Sequence, residues 1–115
     1  MKPARIQLKR TRGWKMPPNT VIVDRRTKWG NPFPLQKKTF EGEVVPILIA
    51  QQCSVANFRN WVDRTLWREA QVELRGKNLA CWCSLDSPCH ADVLLEIANS
   101  NDLEKERPRH VEKTK

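Results

Sequence analysis

Long apolar runs are missing from this sequence. No stretch approaches the roughly 18–20 apolar residues that cross a bilayer as a helix. The basic N-terminus is not followed by the apolar segment of a secretory signal. A helical membrane span is excluded, and a cytoplasmic location with no membrane partner is expected. Acidic residues are nearly missing from the first third: residues 1–38 carry eleven Lys/Arg against Asp24 alone. Histidine is scarce as well, with two in the chain and none before His90. Zinc deaminases need an upstream H-x-E and a P-C-x-x-C. Here Pro88-Cys89 runs into His90-Ala91-Asp92, so deamination by that mechanism is rejected. Internal repeats are absent too.

What remains is a chain of 115 residues, 39% hydrophobic, with five Trp and three Phe. That suits one domain with a thin core. The formal net charge is +8, and its distribution says more than its total. Residues 39–100 hold five basic and eight acidic side chains, whereas residues 101–115 hold five and four. A cationic first third suits an anionic partner: a nucleotide, a phosphate or a nucleic-acid backbone. A solvated basic face accounts for the charge equally well.

Residues 4–10 alternate, placing Ile6 and Leu8 on one side and Arg5, Gln7 and Lys9 on the other, which predicts a half-buried strand or an extended arm. Thr20-Val21-Ile22-Val23 is short and β-branched, a second strand. Arg25 to Pro34 reads as a long loop, since Gly30, Pro32 and Pro34 forbid regular structure. Residues 35–46 carry no clear pattern. A helix is expected from Ser54, its N-cap, with Val55, Phe58, Val62 and Leu66 as one apolar stripe. Arg68 to Leu74 continues or restarts helix, and Gly76 stops it. Asn78 to Trp82 is a buried strand. Ser87 is expected to cap a last helix with Pro88 at its first position. Val93, Leu94, Ile97 and Ala98 form its inner face. The expectation is a single α/β domain over residues 1–100, with a short sheet and irregular N-terminal loops. Residues 101–115 read as a charged, flexible tail with only Leu103 and Val111 apolar.

Chemistry concentrates in Cys81, Cys83, Cys89 and His90. Four cysteines in a reducing compartment point to metal, catalysis or packing before disulfides. Period two puts Cys81 and Cys83 on one face, with Trp82 opposite. Cys89 and His90 open a helix, where unpaired N–H groups favour a thiolate or a bound anion. Three readings stay open. The four residues have the donor types of a tetrahedral zinc site, although C-x-C-x5-C-H is not a familiar spacing and neighbouring helical residues diverge by about 100°. Cys89 as nucleophile and His90 as acid/base form an active site, with Asp92 or Asp86 orienting the imidazole. Alternatively the cysteines are small core residues.

Two basic loops, Arg10 to Lys15 and Arg25 to Phe33, interleave cations with Trp and Gly. Arg10, Arg26 and Lys28 are candidate phosphate contacts, Trp29 a stacking or wall residue, Asn31 a polar reader. Gly30 would let backbone approach a ligand closely. Trp29 and Phe33 as plugs of the core is the competing reading.

Lys9-Arg10-Thr11 with Arg26 to Phe33 forms one block, and Gly76 to Cys83 followed by Cys89 to Leu94 a second. On these blocks the chain resembles a phage and bacterial family, the domain of unknown function 4326, over roughly residues 5–99. That family implies no reaction. The strand–Cys–loop–Cys-His–helix block is more weakly similar to the domain of unknown function 488, which implies a Rossmann-like arrangement by analogy. The expected function is binding of a nucleotide-like or nucleic-acid ligand, and action on it. Its rival is a non-enzymatic nucleic-acid- or protein-binding module held by zinc or packed cysteines.

Overall fold

The computed structural model describes residues 3–100; the expected flexible tail lies outside the described residues. Three short strands, β1 (Arg5–Gln7), β2 (Thr20–Ile22) and β3 (Asn78–Cys81), form a parallel sheet in the order β1-β3-β2. Register pairs Ile6 and Ile22 with opposite sides of Ala80. Two bonds extend the ladder past the strand ends, Leu8 N–H to Cys81 O and Val23 N–H to Ala80 O, both 2.8 Å. The central strand is buried along Leu79, Ala80 and Cys81. Its unbroken apolar run is what a parallel strand covered on both faces requires.

Between β2 and β3 lie α1 (Ile47–Trp61) and α2 (Arg64–Glu73), and α3 (His90–Ala98) closes the domain. Phe58, Val62, Leu74, Leu79, Val93 and Leu94 make the centre of the core. The inner face expected of α3 is buried along its whole length at Val93, Leu94, Ile97 and Ala98.

Helix α1 starts seven residues before Ser54. Pro46 precedes it with no side-chain cap, and Ile47, Leu48 and Ile49 are half exposed. Ser54 instead sits buried in mid-helix, accepting from Asn31 Nδ2 at 2.9 Å and donating to Phe33 O at 2.8 Å. The stripe from Val55 to Leu66 is broken after Trp61, because Asp63 caps a new helix by accepting from Leu66 N–H at 2.9 Å. The helix α3 cap moves from Ser87 to Cys89, whose extended backbone (φ −151°, ψ 145°) ends the loop. Gly76 takes φ +77° at the end of α2, as its stop position requires.

Residues 35–46 form a flap joined by a Lys38–Val44 bridge, with Phe40 fully exposed at its tip.

Candidate functional site

Each strand of a parallel sheet points its carboxyl end the same way, and ligands of such sheets bind in the crevice beyond those ends. Here β1 runs out to Arg10, β2 to Asp24, Arg25 and Arg26, and β3 to Trp82 and Cys83. The N-terminus of α3 brings Cys89 and His90 to the same edge. These residues line one cavity of about 480 Å³, together with Asn31, Gln51 and Ser54. The volume lies within the roughly 300–1,000 Å³ of small-molecule sites.

The sulfur atoms of Cys81, Cys83 and Cys89 all lie within 4.8 Å of one another, close enough to hold a metal ion. Cys81 Sγ and Cys89 Sγ are 2.9 Å apart, and all four cysteines are unbridged. Thiols packed this closely share protons unequally. Hydrogen bonds from Cys81 and Cys89, helped by the Arg5 guanidinium, hold the Cys83 thiol well below its usual range. Hydrogen bonding to Cys83 and Cys89, followed by burial, pushes Cys81 up.

His90 is buried and stands beside this group rather than within it. Its Nε2 lies 2.6 Å from Val23 O, and its Nδ1 3.7 Å from Cys89 Sγ. A carbonyl only accepts, so Nε2 carries a proton and a neutral ring leaves its Nδ1 lone pair facing Cys89. Phe58 packs edge-on against the imidazole at 5.2 Å.

The opposite wall is built on Asp24. This buried carboxylate accepts from Arg26 N, Nε and Nη2 at 3.0, 2.9 and 2.7 Å, and from Trp82 Nε1 at 3.1 Å. Trp82 is thereby pinned by its edge, and the Arg10 guanidinium lies over its ring at 4.8 Å. The Arg26 hydrogen bond, against the cost of burial, keeps the Asp24 carboxyl below the ordinary range. A carboxylate with a depressed folded pKa stabilises above its unfolded value, near pH 4, and loses that contribution as pH falls through the folded value. Asp24→Asn should therefore flatten the acid side of the stability–pH profile, measured by denaturant unfolding between pH 2 and 7.

Placement of the residues singled out in the sequence is uneven. Arg10, Arg26, Asn31, Cys81, Cys83, Cys89 and His90 line the cavity. Asn31 spends its amide internally, on Ser54 and the Phe33 N–H. Lys28 turns away to α2, 3.0 Å from Glu73 and 3.6 Å from Glu69. Trp29 is 4% exposed within the core cluster, under the Lys28 ammonium. Asp92 pairs with Arg5 at 3.3 Å; the imidazole takes its orientation from the Val23 carbonyl instead. Gly30 packs against the Asp24–Arg25 backbone of its own chain, not against open space.

Four contributors were not foreseen. Trp82 was placed opposite the cysteines by alternation, but the strand ends at Cys81 and the period-two rule with it. Arg5 was expected on the solvent side. Its side chain is 8% exposed, donating to Ser84 O at 3.0 Å and Leu85 O at 2.7 Å in the loop after Cys83. The extra positive charge at the cavity is Arg25, whose Nη2 donates to Phe33 O at 3.4 Å. Gln51 belongs to α1, whose early start hid it.

A family model described as a domain of unknown function, DUF4326, matches residues 6–100. The chain belongs to the DUF4326 family. The match takes in every strand and helix except the first residue of β1, and all residues lining the cavity. No curated protein and no solved structure matches this DUF4326 chain.

Proposed function

We propose that the protein binds a nucleotide-like ligand in this cavity and acts on it at the Cys89–His90 turn. The observation that carries the reading is the pinned Trp82 ring with Arg10 over it, at the rim of a cavity that ends on α3. An indole held at its edge offers a flat face to a base. Arg26 keeps its side chain 68% exposed while bound to Asp24, so it retains donors for a phosphate. Arg25 lies beside it. The N–H groups at the start of α3 favour the same anion. Gln51, whose side chain makes no hydrogen bond among the described residues, can read polar groups of the base. His90 Nδ1 and Cys89 Sγ supply the acid/base and nucleophilic atoms of nucleotide or base hydrolysis or modification.

Titration with a panel of mononucleotides at moderate salt tests this. Trp82→Ala should keep the fold and weaken binding by about tenfold or more, the scale of one lost base stack. Absence of mononucleotide binding, with oligonucleotides binding in a steeply salt-dependent way, would replace the reading with the second one. That second reading is favoured by the three-thiol cluster: a non-enzymatic nucleic-acid- or protein-binding module, with zinc on the cysteines or their packing holding the fold.

A further inference from the structure

The three sulfurs, the cavity and the engagement of His90 together say more than a place for zinc. Tetrahedral zinc holds thiolates at about 2.3 Å, which sets neighbouring sulfurs roughly 3.8 Å apart. Here the three sulfurs lie within 4.8 Å of one another, the Cys81–Cys89 pair at 2.9 Å, so their separations are of the order of that edge. Small side-chain rotations suffice to reach it. The group of three contains no histidine. His90 Nε2 is committed to Val23 O, and Nδ1 reaches Cys89 Sγ at 3.7 Å from outside the group. Structural zinc sites are closed by four protein ligands, whereas working sites keep three and leave one position open.

We infer that Cys81, Cys83 and Cys89 form a three-thiolate zinc site whose fourth position opens into the cavity. All three cysteines line that cavity, so an incoming donor reaches the metal from the side of Arg10, Arg26 and Trp82. Three thiolates around one Zn²⁺ leave a centre of net charge −1. Arg5 stands ready to balance it. Its guanidinium is buried and fixed to the carbonyls of Ser84 and Leu85, directly after Cys83. Its Nη1 makes no hydrogen bond among the described residues and lies 3.3 Å from Asp92 Oδ2. With the metal bound, Cys89 serves as a ligand and not as the free nucleophile; only the nature of the donor in the open position rests on the nucleotide reading, and the metal does not.

The full chain, reduced and loaded with Co²⁺ alone, provides the test. One Co²⁺ per chain is expected, with intense sulfur-to-metal charge transfer and the visible bands of a tetrahedral ion. Azide should shift the visible bands without releasing the metal, because the fourth position is open. Cys83→Ser should weaken binding by about 100-fold or more, while Cys53→Ser, at an exposed position on α1, should leave it unchanged. His90→Ala should retain the metal and the charge-transfer intensity. Should Cys83→Ser fail to fold, the azide and His90→Ala measurements on folded protein decide alone. No Co²⁺ uptake by fully reduced protein would overturn the inference. So would a Cys81–Cys89 disulfide found in place of the metal. An azide-insensitive spectrum, with binding more than tenfold weaker in His90→Ala, would also overturn it by showing a closed centre. Nucleotide titration is read separately, so loss of either result leaves the other interpretable.

Discussion

Phe58→Ala is expected to cost about 3–5 kcal/mol and lower Tm by on the order of 20 °C. Phe58 is fully buried in the last turn of α1 and is the largest side chain so enclosed among the described residues. Its ring meets Trp61 at 5.8 Å and His90 at 5.2 Å, so truncation opens a void between α1 and the start of α3. A domain of this size has roughly 5–15 kcal/mol in hand, and a loss on this scale takes much of it. Phe58→Leu leaves a smaller void and should cost clearly less. Chemical denaturation of both variants checks the order. If Phe58→Ala cost under about 1 kcal/mol, the packing of α1 on α3 described above would be wrong.

Gly30→Ala is the second large effect, expected on the order of 3 kcal/mol with weakened ligand binding. A Cβ at position 30 would come within 2.5 Å of Arg25 Cα and 2.7 Å of Asp24 O. Both are backbone atoms, so no side chain can swing aside. The Asp24–Thr27 turn is closed by Thr27 N–H and Thr27 Oγ1 on Asp24 O, at 3.0 and 2.9 Å. Moving it displaces the carboxylate that holds both Arg26 and Trp82. Thermal unfolding and mononucleotide titration should both register the change. Gly13→Ala is a useful contrast, since its Cβ meets nothing within 4 Å and only its φ of +85° resists substitution. It should leave the cavity intact.

The parts of the fold that could be read from sequence are those fixed by local chemistry. Ile6, Val21 and Leu79 sit in strands because short β-branched and apolar runs flanked by loops have few other uses. The buried stripe of α3 followed from helical period, whereas alternation stopped with β3 at Cys81 and did not govern Trp82 and Cys83. Readings failed where long-range contact decided. Nothing local marks the start of α1, because Pro46 brings no capping oxygen and the first turn is exposed. Ser54 has the composition of a cap, yet it is taken up by the Asn31–Phe33 loop. Lys28 and Arg26 look alike in the sequence. One meets Glu73, 45 residues later, and the other Asp24, two residues earlier. Arg5 was unreadable for the same reason, since its partners lie about 80 positions downstream.

The strand order has a consequence for synthesis. β1 and β2 never touch each other as strands; each pairs only with β3, which begins at Asn78. A nascent chain that stops short of Asn78 therefore holds β1 and β2 without the strand that joins them. Until Asn78–Cys81 follows, the cationic residues 1–38 have no ladder to join. When Asn78–Cys81 emerges, it must find both neighbours at once, closing loops of more than fifty residues on each side. Sheet, helix α3 and cysteine cluster then form as one late event. The thiols of Cys81, Cys83 and Cys89 take their folded arrangement with that event.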